Sequence, residues 1–179
     1  MNDADIVEAA KGIVSGAMLF SGQVCMATER VIVQKEIADA FVSDVCKLCE
    51  TLKAGDPSSS ALGPLFSEDS AENVMNMIQE ARKEGAEVVV GDLQRQASLI
   101  QPHVLTRVTP EMRLWKDESF GPVLGIMVVD TIEQAVEMAN LTDYSLSSAL
   151  WTNNVHNARK IAPLLHAGSS FPCRQDIHS

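Results

Sequence analysis

A chain of 179 residues has room for one well-packed domain, and an apolar fraction of 46% suits a globular protein. Its formal charge of −10 argues against a nucleic-acid or anionic-membrane partner, because both repel an acidic surface. The acidic start Met1-Asn2-Asp3-Ala4-Asp5 has the wrong sign for a leader, and the apolar segment 12–20 is too short to cross a bilayer. A cytoplasmic protein with reduced Cys25, Cys46, Cys49 and Cys173 is the expectation.

In chain order, residues 3–19 read as a helix. Ile6, Ala9, Ala10, Ile13 and Ala17 recur at helical spacing, with aspartates where the macrodipole favours them. It runs into a turn at Gly22 and then Cys25. Arg30 to Gln34 reads as a short buried strand, since Val31, Ile32 and Val33 are consecutive and β-branched. A second helix covers 36–53, with Ile37, Phe41, Val45, Leu48 and Leu52 on one face. Cys46 and Cys49 stand within it at CxxC spacing. No second such pair or paired histidine follows to complete a zinc site, so they are assigned to the core face.

Residues 54–60 and Gly63-Pro64 form a loop by composition. A third helix over 68–84 points Val74, Met77, Ile78 and Ala81 inward and ends at Gly85. Residues 87–90 read as a buried strand. Leu99 to Leu105, broken by Pro102, reads as an extended edge strand, with His103 a satisfied or exposed side chain rather than a base. The longest apolar run, Pro122 to Val129, predicts a central strand. Thr131 and Gln134 form a capping box opening a helix with Ala135, Met138 and Ala139 inward. Leu146 to Thr152 follows as a strand. A last helix over 154–166 is shortened or kinked by Pro163. Residues 169–179 lack periodicity and read as an irregular tail. Repeated alternation of strand and helix predicts an α/β fold, a mostly parallel sheet covered by helices.

Two segments read as site rather than scaffold. Cys25 follows a Gly-containing turn, where a thiolate can be reached and backbone N–H groups can hold an oxyanion. The alternative is a structural cysteine between a helix and a strand. Glu118-Ser119-Phe120-Gly121-Pro122 is the second segment.

Gly22-Gln23-Val24-Cys25-Met26-Ala27 resembles the cysteine active-site signature of the NAD(P)-dependent aldehyde dehydrogenase superfamily. Further landmarks follow in the family's order: Gly55-Asp56-Pro57, Gly63-Pro64, Gln101-Pro102, Glu118 to Val123, Ala139-Asn140 with Tyr144 and Leu146, and Ala167-Gly168. The match spans residues 3–168 and is similar to vanillin- and salicylaldehyde-type enzymes within the family. The resemblance implies a catalytic domain over 1–168, with Cys25 attacking an aldehyde and its backbone N–H holding the oxyanion. It implies that Glu118 holds the nicotinamide ribose of NAD or NADP and that Phe120 lies beside the nicotinamide.

The same resemblance implies that the chain starts after the family's Glu-Leu-Gly-Gly strand, which carries the general base. It also implies that the cofactor-binding domain and the oxyanion-supporting asparagine lie outside the chain. Neither Glu29 nor Glu118 is assigned as the base, and NAD binding by this chain alone is expected to be weak or absent. Ser145 replaces the family's usual glycine, and residues 169–175 depart from its Val-x-Val-Asn continuation. Three readings follow: an impaired aldehyde dehydrogenase; a cofactor-independent hydrolase, isomerase or cyclase using Cys25; and a non-catalytic partner or oligomer docking through an exposed apolar face.

Overall fold

The computed structural model describes residues 1–56 and 60–173, with only the backbone of 172 and 173. Part of the expected 54–60 loop, residues 174–179 of the expected tail and the Cys173 thiol lie outside that description. The architecture rests on a four-stranded sheet in the order β1-β6-β5-β2. Its strands are β1 (Arg30–Gln34), β2 (Glu87–Val90), β5 (His103–Thr106) and β6 (Val123–Val129). β1 and β5 both run parallel to β6, and β2 pairs antiparallel with β5.

The unbroken apolar run of β6 is explained by burial on both faces. Leu124 and Ile126 join Val31, Val33 and Val104 in a core covered by α1 (Ile6–Met18) and α2 (Lys35–Thr51). Val123, Met127 and Leu105 point the other way, into a second core under α3 (Glu68–Lys83) and α4 (Arg113–Lys116). Side chains alternate across a strand, so one stretch of sequence feeds both layers. Local chemistry fixes the helix starts. Asp5 Oδ1 accepts from Glu8 N–H, Ser67 Oγ from Ser70 N–H, and the Thr131–Gln134 box opens α5 (Ile132–Ala139).

Several expectations change. Residues 87–90 form a half-buried edge strand with a bulge between Val88 and Val90, not a buried one. The 99–105 segment splits at Gln101-Pro102. A two-residue β4 (Leu99–Ile100) pairs with β3 (Arg95–Gln96), and β5 lies inside the main sheet rather than at its edge. Pro102 has no N–H to give, but it precedes the ladder instead of interrupting it. On α5 the expected inward residues are half-buried, and none is fully covered. Pro163 ends α6 (Val155–Ile161) in a 3-10 turn, Ala162–Leu164. Residues 169–173 are not irregular. They form β8 (Ser169–Cys173), parallel to β7 (Ser147–Trp151) in a separate two-stranded sheet. Pairing with a distant strand, not side-chain period, makes this segment extended.

A cavity of about 400 Å³ separates β1 from β7, lined among others by Ile13, Ile32, Val136, Ala139, Leu150 and Trp151. One end is bridged where the Met1 amine donates to Trp151 O (2.9 Å) and Asn2 N–H to Gln34 Oε1 (2.9 Å). Across the other end, Arg30 Nη2 donates to Tyr144 O at 2.8 Å. No described helix is long and apolar enough to cross a membrane.

Candidate active site

The Cys25 turn is built by a reversal of backbone hand. After Met18 the chain passes through three left-handed residues, Phe20 (φ 49°), Ser21 (φ 58°) and Gly22 (φ 75°). Such angles are unfavourable for the first two, so outside contacts must hold them. Buried Ser21 Oγ–H donates to Gly63 O at 2.7 Å. Gln23 Nε2 donates to Phe20 O (3.2 Å) and Pro64 O (3.4 Å), and Gln23 Oε1 accepts from Phe66 N–H (2.8 Å). Ala27 N–H then donates to Val24 O at 2.8 Å, which closes a tight turn with Cys25 and Met26 at its exposed corners. Among the described residues no acceptor takes the Cys25 N–H.

The second segment lies against this turn. A Cβ on Gly22 would sit 2.0 Å from Gly121 O, so only glycine permits the approach of the two loops. Glu29, between the turn and β1, completes the join. Its Oε1 accepts from Ser119 N–H (2.9 Å), Ser119 Oγ–H (2.8 Å) and Phe120 N–H (3.0 Å). Ser119 is buried, Glu118 half-buried, and Phe120 is 41% exposed at φ 50°. Burial pushes the Glu118 carboxyl above its usual range, and the Glu29 charge adds to this against the pull of Arg30. Arg30 donates from Nη1 to Trp115 O (3.0 Å) and from Nη2 to Tyr144 O, fixing the segments on either side.

Other candidates go elsewhere. His103 is fully buried, with Nδ1 against Gln101 O (2.7 Å) and Nε2 accepting from Leu93 N–H (3.2 Å). With both ring nitrogens engaged it is a satisfied core side chain, and burial holds its pKa below the ordinary 6.5. Cys49 is buried beside Val45, and desolvation pushes its thiol up to about 12, far from a usable thiolate. Among the described residues no cluster of His, Cys, Asp and Glu could hold a metal ion. The β1–β7 cavity lies behind the turn and touches Met26 and Thr28, but its lining omits Cys25, Glu118 and Phe120.

Sequence reasoning missed the joining roles of Gln23 and Glu29. Gln23 had a trace signal as part of the turn. Glu29 had none, since its acceptor duty concerns residues about ninety positions away.

A sequence model described as the aldehyde dehydrogenase family matches residues 1–173. The NADP-dependent glyceraldehyde-3-phosphate dehydrogenase of Streptococcus equinus is 40% identical over 170 residues, covering 94% of this chain and 36% of that protein. The vanillin dehydrogenase of Pseudomonas fluorescens is 36% identical, covering 94% of this chain and 35% of its own length. Among solved structures, an NADP-dependent glyceraldehyde-3-phosphate dehydrogenase from Bacillus halodurans C-125, complexed with NADP, superposes with a TM-score of 0.93. It is 35% identical, over all of this chain and 38% of the other. The chain therefore spans just over a third of the length of the curated relatives it matches.

Proposed function

We propose that this chain, which belongs to the aldehyde dehydrogenase family, carries the nucleophile of aldehyde oxidation in Cys25 and a nicotinamide-facing loop in Glu118 and Phe120. The observation that carries this reading is the exposed Cys25 corner, its N–H unclaimed among the described residues, with the Glu118–Gly121 loop held against the same turn by Glu29 and Gly22.

The Cys25 sulfur bonds to the aldehyde carbon and gives a thiohemiacetal. The carbonyl oxygen gains the electron pair, and the Cys25 N–H donates to it. A nicotinamide cofactor, when bound, would supply the hydride acceptor; loss of hydride from the thiohemiacetal carbon re-forms the carbonyl and leaves a thioester on Cys25. Water then hydrolyses the thioester, returning the thiol and releasing the carboxylic acid. The residues present fit one end of such a cofactor: a half-exposed carboxylate can accept ribose hydroxyls, and the Phe120 ring offers an apolar face. Two contacts give little affinity, so calorimetry on this chain should find NAD binding weaker than micromolar.

The substrate class is a small aldehyde, as the names of the relatives suggest. Leu141 and Leu146 are each more than half exposed, which supports association through an apolar face. Size-exclusion mass across a concentration series tests that. The nucleophile is tested without cofactor, by an activated aryl acetate. Cys25 should displace the phenolate, appear as an acetyl adduct by mass spectrometry, and turn over. The Cys25→Ser variant should lose at least about 100-fold in rate. Acetylation no faster than that of a free cysteine peptide would reject the assignment.

A further inference from the structure

We infer that Glu29 is a positioning residue whose carboxylate holds the 119–121 loop in the conformation that presents Glu118 and Phe120 beside Cys25. The functional consequence rests on the reading above, that these two residues face the nicotinamide. The clamp itself rests on geometry alone.

Its three donors come from two adjacent residues and converge on one oxygen, at 2.9, 2.8 and 3.0 Å. Ser119 Oγ passes the restraint on, because it also accepts from Gly121 N–H at 3.3 Å. Phe120 is a bulky residue at φ 50°, where the backbone does not rest unaided. Hydrogen bonds to an ionised acceptor are the strong kind, and here one is spent on the strained residue's own N–H. The Glu29 backbone is fixed independently. Its carbonyl accepts from Gly125 N–H (2.9 Å) at the start of the β1–β6 ladder, so the carboxylate projects from a rigid base. Two sheet strands thus meet at Glu29, and its side chain carries their register to the loop before β6. The other charged groups near Glu29 are Arg30, engaged with the carbonyls of Trp115 and Tyr144, and Glu118. Neither replaces it as an acceptor for the Phe120 N–H.

The test is amide hydrogen exchange at Ser119 and Phe120, by NMR, in the native chain and in Glu29→Gln, Glu29→Asp and Glu29→Ala. Glutamine keeps an acceptor oxygen at the right reach. Aspartate keeps the charge but falls short. We expect both amides to exchange about 3- to 10-fold faster than native in Glu29→Gln, which keeps the reach but loses the charge, and roughly 30- to 100-fold faster in Glu29→Asp and Glu29→Ala. The Leu124 amide reports global opening and should stay unchanged in the glutamine and aspartate variants. A Phe120 amide equally protected in all four proteins overturns the clamp. So does glutamine exchanging as fast as alanine, or loss of Leu124 protection in both glutamine and aspartate variants, which makes Glu29 merely structural. If Glu29→Ala does not fold, the glutamine–aspartate pair decides. Millimolar NAD added to the native chain separates the premise: shifts that grow with NAD at other amides but spare Phe120 reject the nicotinamide reading and leave the clamp standing.

Discussion

Cys25 and Cys49 are the same residue type in opposite surroundings. Cys49 lies in the core under α1 and α2, among Phe41, Val45 and other side chains of regular elements. Cys25 stands where three of the six described non-glycine residues with positive φ are found: Phe20, Ser21 and Phe120. Large apolar side chains are exposed on the same segments, Phe20 at 73% and, on the loop tied to Gln23, Phe66 at 93%. Packing and exposure are divided between the two regions. The sheet supplies rigidity, and the strained loops it holds supply an accessible thiol.

The sharpest way to break this division is to remove bulk from the core. Leu124→Ala, on the central strand, should cost about 2–5 kcal/mol in denaturant unfolding. Exposing the site further should cost nothing comparable. Next come the glycines. Gly22→Ala and Gly91→Ala both force a side chain onto a positive-φ backbone, 2.0 Å from Gly121 O and 2.2 Å from the His103 ring respectively. Each should lose roughly 1–3 kcal/mol. They should differ in chemistry: Gly22→Ala should also slow Cys25 acetylation, while Gly91→Ala should leave it near native in the folded fraction. Equal acetylation rates in both variants would remove the distinction.

The core also carries an acid sensitivity. His103 is held below its ordinary 6.5, so the unfolded chain binds the proton more readily. Its contribution to stability is full above 6.5 and is lost as the pH falls from 6.5 toward the lowered value. Melting curves between pH 7 and 5 should show that fall, and it should be reduced in a folded His103→Gln variant. The smallest effect is expected at the rim. Phe66→Ala should change stability by no more than about 0.5 kcal/mol, since the ring is nearly all in solvent.

Much of the scaffold was legible because its signals are local. The Thr131–Gln134 capping box is written within a few residues, and the β6 run announces burial on both faces. The place of β5 inside the sheet, the pairing of β8 and the half-buried state of α5 were not legible. Each depends on which distant element lies alongside. At the site, the exposed thiol on a turn could be expected from Gly22 and Cys25. The approach of Gly121 to Gly22 and the triple acceptor role of Glu29 could not.

By itself, then, the sequence determined the periods, caps and breaks, and through them the class of fold and the segments worth attention. Period and turn chemistry act over a few residues, so they are readable along the chain. Tertiary structure alone decided that residues 22–29 and 118–121 touch, that Glu29 faces the loop and that His103 faces the core. Those outcomes follow from strand order and side-chain direction in the folded sheet, and contacts between residues about ninety apart leave no mark on local pattern.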